Sequence, residues 1–467
     1  MKDQPLEYWS LLRLSAALAR REISSVEVTG ALLDRIAKLD GSCRSYMTVM
    51  ADQALAQAER ADEEMARGFS RGPLHGVPLA VKDLCFTRDA PTSAGMAIHR
   101  DWIPDYDATV VARLKAAGAI ILGKLHMTEG AGGAHHPSMP APRNPWNSAY
   151  WPGASSSGSG VATSAGLCYG SLGSDTGGSI RFPSACCGIT GIKPTWGRVS
   201  RHGIFPLAES LDHVGPMARS TADAATILGV IAGEDPADPT SLDMPVPDYL
   251  AALGGGIRGL RIGIDRTYSG DGVDEEIVRS LAEAEHVLVS LGAKIRDVRF
   301  PSLEPAVGAS MATLGVEVAD AHRASYPSRS AEYGPKLAAL IESGLKVSAL
   351  DLAQAQRERR HFCGMVSHLW RDIDLLLVPA LVTGVPLAEE MEAFNMDPAV
   401  MARLVRFTVP FDLTGSPTIS LPCGFSKGGL PLGMQLVGPH LSEALLCRAG
   451  HAFQQATDWH TRRPDLS

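Results

Sequence analysis

The fourteen residues at 170–183, GSLGSDTGGSIRFP, gather four glycines, three serines, one aspartate and one arginine. A second run, PGASSSGSG at 152–160, is as rich in the same small residues. Glycine and serine at the start of a helix leave backbone N–H groups without intrahelical partners, and such groups bind a developing negative charge. Gly177 and Gly178 stand immediately before Ser179, so the backbone can turn tightly there and aim successive N–H groups beside the serine hydroxyl. The chemistry this suits is attack of a serine oxygen on a carbonyl. A serine hydroxyl is a poor nucleophile until a base takes its proton. Neither serine run holds a GxSxG elbow and no histidine motif accompanies them, which leaves lysine as the alternative base. Lys82 follows the apolar run 79–81, and loss of hydration at the end of a buried strand would lower its pKa and leave a neutral amine.

The elements that must carry these groups are marked by periodicity. Apolar residues recur at helical spacing over 11–39, with Ser24-Ser-Val-Glu27 as a capping box, which predicts two N-terminal helices; an alanine-rich third helix covers 50–67 and ends near Gly68. Pro73, Gly76 and Pro78 block a helix, leaving 79–81 as a strand with Lys82 and Asp83 emerging at its end. Helical spacing over 107–117 stops at Gly118, and 119–122 reads as the next strand. The alternation continues through a helix after Ser157, a strand near 169–173, a helix at 220–232 and strands near 260–264 and 374–381. Two strand-like runs, GSPTISLPCG and GLPLGMQLVGP, precede a closing helix at 442–457. The fold class implied is α/β: a large mixed, mostly parallel twisted β-sheet covered by helices on both faces. No internal repeat or low-complexity linker divides the 467 residues, which read as a single domain. Within it, 1–70 form N-terminal helices, 71–235 carry the core motifs, 236–410 are a variable substrate-shaping region with a lid-like character, and 411–467 close the core.

Composition narrows the function classes. A formal charge of -8 argues against a surface built to hold phosphate backbones, so small neutral substrates are expected and a nucleic-acid partner is not. The longest apolar runs, AIILG at 119–123 and LLLVPALV at 375–382, fall far short of the roughly 20 residues that span a bilayer, and no membrane partner is expected. The N-terminal stretch carries Glu7, Arg13, Arg20 and Arg21 and no uninterrupted apolar core ahead of a cleavage site, which predicts a cytoplasmic protein. Eight cysteines without a CxxC pair read as reduced, mostly buried thiols. The spacing GxxxxGK at 118–124 imitates a phosphate-binding loop, but its inner residues are apolar and Leu125 stands where a magnesium-ligating hydroxyl is needed. His135 and His136 lack a third spaced ligand and read as loop histidines, so neither a metal nor a cofactor is expected.

Three of these motifs, GVPLAVKDL (76–84), PGASSSGSG (152–160) and GSDTGGSIRFPSACCGITGIKPT (173–195), together resemble the amidase signature family. The likeness extends more weakly from EISSVEVTGALLDRI at 22–36 to GLPLGMQLVGP at 429–439. The resemblance implies an amidase that cleaves the C–N bond of a small or aryl/alkyl amide through a Ser, cis-Ser, Lys triad and an acyl-enzyme, at the matching positions Ser179, Ser155 and Lys82. It also selects Ser155 over Ser156 as the bridging serine. Neutral Lys82 then takes a proton from Ser155, which takes one from Ser179, while the backbone N–H groups of Thr176, Gly177, Gly178 and Ser179 hold the oxyanion, each such donor worth about 3 kcal/mol. Ser156, Asp175 and Arg181 match bracing positions of the family. The segment 123–139 resembles the loop beside the bridging serine and brings Gly132 and Gly133 near the acyl group. Ala154 and Ser157 depart from the family's G-G-S-S-G-G run, and their side chains are expected to narrow this loop. The same triad serves a carbamate (urethane) hydrolase and the glutaminase component of a tRNA-dependent amidotransferase complex, the two alternatives for this chain. A homodimer accords with family habit.

Overall fold

Short strands join the apolar runs in one eleven-stranded sheet in the computed structural model, which describes residues 4–393 and 397–466. In chain order the strands are β1 (Tyr46–Val49), β2 (Pro78–Lys82), β3 (Ile120–Leu125), β4 (Gly170–Asp175), β5 (Thr190–Lys193) and β6 (His213–Ala218). They continue with β7 (Arg261–Ile264), β8 (Lys294–Asp297), β9 (Leu375–Pro379), β10 (Thr418–Phe425) and β11 (Pro431–Val437). Across the sheet their order is β1-β3-β2-β4-β6-β5-β10-β11-β9-β7-β8.

The sheet is mixed. β2 runs parallel to β3 and β4, and β7 runs parallel to β8 and β9. Between these groups β6, β5, β10 and β11 are antiparallel to their neighbours. Parallel pairing is therefore local to the two flanking groups rather than prevalent throughout. The connection from β10 to β11 is too short for the crossover that a parallel pair needs.

β2, β3, β4, β6, β9 and β11 are buried at every residue. Successive side chains of a strand point to opposite faces, so unbroken burial means that both faces are covered. The helix Ser157–Ser164 packs on β2, β3 and β4, and the helix Arg181–Cys187 packs on β5, β10 and β11. In β2 the fully buried Leu79 and Val81 each contribute about 1.5–3 kcal/mol, which helps the strand carry a buried lysine at its end. A second apolar cluster, which takes in Leu376 and Val378 of β9, joins Phe182, Phe300, Phe407 and Phe411.

The N-terminal helices are Leu11–Ala19, Ser25–Cys43 and Ala51–Ala66. The capping box is present: Glu27 N–H donates to Ser24 Oγ at 3.0 Å and Ser24 N–H to Glu27 Oε2 at 2.8 Å. The helix expected over 107–117 spans Thr109–Ala116, because the Asp107 carboxylate accepts instead from Arg88 N–H and Lys115 Nζ. β3 continues past the expected 119–122 through Gly123 and Lys124. The phosphate-loop spacing therefore lies in a buried strand whose Lys124 Nζ donates to Thr92 Oγ1 at 2.6 Å and sits 3.3 Å from Asp83. No helix among the described residues is long and apolar enough to cross a membrane. All eight cysteines are free, and all but Cys363 are buried.

Candidate active site

Parallel pairing of Ala80 with Ser171 and Val81 with Leu172 places Lys82, the last residue of β2, level with Gly173 and beside Ser174 of β4. There Lys82 Nζ lies 2.7 Å from Ser155 Oγ, 2.9 Å from Ser156 Oγ and 2.9 Å from Ser174 Oγ. Lys82 is fully buried, and no carboxylate among the described residues pairs with it. Burial lowers its pKa to about 7, against the opposing pull of Cys85, Asp175 and Asp212. A neutral amine has two N–H donors and one lone pair, so one of its three hydroxyl neighbours must donate to it. Ser156 directs its proton to the Ser174 carbonyl at 3.1 Å. Of the other two, Ser155 faces the cavity described below and Ser174 does not line it.

The peptide bond between Ala154 and Ser155 is cis. Thr128 N–H donates to the Ser155 carbonyl at 3.2 Å, and Ser156 N–H donates to the Ser179 carbonyl at 3.3 Å, which joins the two serine segments. Ser179 is half-buried, and its hydroxyl has no hydrogen-bond partner among the described residues. Together with Ser155, Thr176 and Gly177 it faces the cavity.

The loop behind Ser179 is organised by one carboxylate. Asp175 Oδ1 accepts from Gly178 N–H and Arg181 Nη2, both at 2.7 Å. Its Oδ2 accepts from Ile180 N–H, Arg181 N–H and Arg181 Nε at 2.9, 3.2 and 3.0 Å. Burial works to raise the Asp175 pKa, but the Arg181 guanidinium outweighs it and holds the carboxyl well below the usual range. Gly178, expected among the oxyanion donors, is therefore committed within the loop. The N–H groups of Thr176, Gly177 and Ser179 have no acceptor among the described residues. Gly178 has φ 131°, and a Cβ there would lie 2.4 Å from the Phe182 ring, so both conformation and space require glycine.

Three further residues brace this machinery, two of them without a motif to announce them. Thr408 Oγ1 donates to the Gly177 carbonyl at 2.6 Å, and the Thr408 carbonyl accepts from Arg181 Nη1 at 2.8 Å. Asp412, in the helix Val409–Leu413, accepts from Arg181 Nη2 at 2.5 Å. Ser174 is the third, through its contact with Lys82. The Gly177–Gly178 peptide is thus held at both ends, its carbonyl by Thr408 and its N–H by Asp175.

The serines open on an inner cavity of about 140 Å³ walled by Met311, Leu314, Leu340, Met401, Val405 and Val409. An outer cavity of about 530 Å³ shares with it the walls formed by Gly133, Trp151, Ala154, Lys336 and Met391. Gly132 and Gly133 both line the inner cavity. Ala154 lines both cavities, whereas Ser157 Oγ lies 3.0 Å from His135 Nε2 and links that loop to the helix start. His136 bonds Ser138, and no cluster suited to a metal ion occurs among the described residues.

Comparison with known proteins finds relatives along nearly the whole chain. The family model described as Amidase matches residues 27–447. AmiD of Mycobacterium tuberculosis, named as an amidase, is 50% identical over 466 residues, covering 100% of this chain and 98% of that protein. The glutamyl-tRNA(Gln) amidotransferase of Moorella thermoacetica has an A-type subunit that is 41% identical over 487 residues, 99% of each chain. The solved structure of native peptide amidase from Stenotrophomonas maltophilia is 30% identical, with a TM-score of 0.84 over 98% of each chain.

The bond from Thr408 to the Gly177 carbonyl sets the orientation of the Gly177–Gly178 peptide, one peptide ahead of Ser179. Thr408→Val removes it at a cost of about 1–3 kcal/mol, and steady-state kinetics should show kcat reduced roughly 5- to 150-fold with KM little changed. Thr408→Ser, which keeps the hydroxyl, should restore most of the rate.

Proposed function

The chain belongs to the Amidase family, and from its buried, hydroxyl-bound lysine we propose that it cleaves the C–N bond of apolar aryl or alkyl amides through Lys82, Ser155 and Ser179. The observation that carries this reading is the 2.7 Å contact between a fully buried amine and a hydroxyl that faces the same cavity as Ser179. Ser179 Oγ attacks the substrate carbonyl and passes its proton to Ser155 as Ser155 gives its own to the neutral Lys82 amine. In unliganded enzymes such contacts are often loose and tighten only around bound substrate, which suits the unpartnered Ser179 hydroxyl. The N–H groups of Thr176, Gly177 and Ser179 accept the oxyanion, and the low dielectric of the pocket strengthens each contact. Collapse of the tetrahedral intermediate breaks the C–N bond, and the departing amine takes the proton back through Ser155. Water then attacks the acyl-Ser179 carbonyl, returns a proton along the same path and releases the carboxylic acid.

The methionine, leucine and valine side chains around the serines favour an apolar acyl group over the zwitterionic end of glutamine. That supports hydrolysis by the isolated chain over a glutaminase role within an amidotransferase. The purified chain, given p-nitroanilides, alkyl and aryl amides, carbamates and glutamine, should hydrolyse the apolar amides unaided when products are read by mass spectrometry. Glutamine hydrolysis alone, and only with a co-purifying partner, would contradict the reading.

Ser179→Ala should lower turnover by at least roughly 10⁴-fold and abolish labelling by a fluorophosphonate, whereas Lys82→Ala should leave a small, strongly pH-dependent residual rate. Because burial puts the Lys82 pKa at about 7 and only the neutral amine accepts a proton, kcat/KM should rise with pH through that value and level off above it. A profile that falls as pH rises through neutrality excludes Lys82 as the base.

A further inference from the structure

An apolar amide leaves the outer cavity without an occupant, and its walls include two arginines, Arg44 and Arg143. They are distant in the chain but adjacent in the fold, because Arg143 N–H donates to the carbonyl of Cys43 at 2.9 Å. Neither guanidinium has a hydrogen bond or ion pair among the described residues. Asp40, the carboxylate close by in sequence, is occupied by Ser45 N–H, Ser45 Oγ and Tyr46 N–H. Arg44 itself adopts the left-handed conformation, φ 56° and ψ 38°, at the end of the helix Ser25–Cys43. Glycine or asparagine usually occupies such a position, and a residue with a Cβ persists there only when its surroundings hold it.

The remaining charged groups on this cavity do not neutralise the pair. Lys336 Nζ donates to the Glu392 carbonyl at 2.7 Å, which leaves its positive charge without a carboxylate partner. Both oxygens of Glu129 accept from Gly334 N–H at 3.0 Å, and burial raises its pKa to about 7. The Glu392 side chain is exposed to solvent, as is that of Arg143, while Arg44 is half-buried. The cavity adjoining the apolar pocket therefore carries unpaired cationic donors whose forked geometry matches a carboxylate.

We infer that Arg44 and Arg143 bind a carboxylate carried by the substrate beyond its scissile amide, so that the enzyme acts on acid-bearing amides of the N-acyl amino acid class. The inference rests on the amide hydrolysis proposed above. The apolar acyl group occupies the inner cavity beside Ser179, and the amino-acid portion extends past Ala154 and Trp151 into the outer one. Attack by Ser179 forms the acyl-enzyme, the C–N bond breaks, and the amino acid leaves with the proton returned through Ser155. Water then releases the acyl group as its carboxylic acid.

The test uses N-hexanoyl derivatives of glycine, β-alanine and 4-aminobutyrate, each against the N-hexanoyl amino alcohol of equal length, with a p-nitroanilide as reference amide. At least one acid should exceed its alcohol by tenfold or more in kcat/KM, and that ratio should fall towards one in Arg44→Gln and in Arg143→Gln. It should also shrink in 0.5 M salt. Equal rates for acid and alcohol, or a preference that survives both substitutions, overturn the carboxylate site while leaving the amidase reading intact. Failure on both series and on the p-nitroanilide removes the reading beneath it and the inference together.

Discussion

A lysine amine that is fully buried, touches three serine hydroxyls and has no carboxylate partner among the described residues is the constraint on which this site turns. An isolated ammonium in such surroundings is strongly disfavoured, so the group discharges rather than remain buried as an ion. Its neutrality depends on the fate of a neighbouring carboxylate. Asp175 ends the adjacent strand and would stabilise a charged Lys82, but both its oxygens are taken by Arg181 and by three backbone N–H groups. Arg181 thus performs two tasks with one contact. It compensates the buried carboxylate, and it leaves the lysine without a counter-ion.

That division reaches far along the chain. Arg181 also holds the Thr408 carbonyl and Asp412, and the Thr408 hydroxyl orients the Gly177 carbonyl. Val405 and Val409, on either side of Thr408, wall the inner cavity. The surface that selects a substrate is therefore tied by hydrogen bonds to the loop proposed to hold the oxyanion. Misplacing that surface by a fraction of an ångström would disturb donor geometry as well as fit, which is how a contact remote from the reacting atoms affects rate.

The reactive groups were legible because they lie in three short runs, two following predicted strands and the one at 152–160 leading into a predicted helix, and β2 ends at Lys82 as the apolar run before it requires. The rest depended on contacts that no local pattern encodes. Thr408 and Asp412 meet Arg181 across more than two hundred residues, in a segment whose composition is ordinary. β5 contains glycine and β6 both glycine and proline, neither alternates, and they are strands because long neighbours pair with them. The commitment of Gly178 is a different case. An aspartate three residues ahead of a glycine can cap the following turn through its side chain, so the D-T-G-G run held that signal. Counting all four N–H groups as oxyanion donors passed over it. The extent of β3 was also open to reading, since Gly123 and Lys124 continue an apolar run that the phosphate-loop spacing only imitates.

The protonation state of one side chain decides the account most directly. With lysine labelled by ¹³C at Cε, and the Lys82 resonance assigned from its loss in Lys82→Arg, an NMR titration reads its ionisation without turnover. A midpoint near 7 is the result expected from a dry amine among hydroxyls. A midpoint near 10, about the value of an ordinary solvated lysine, would contradict it.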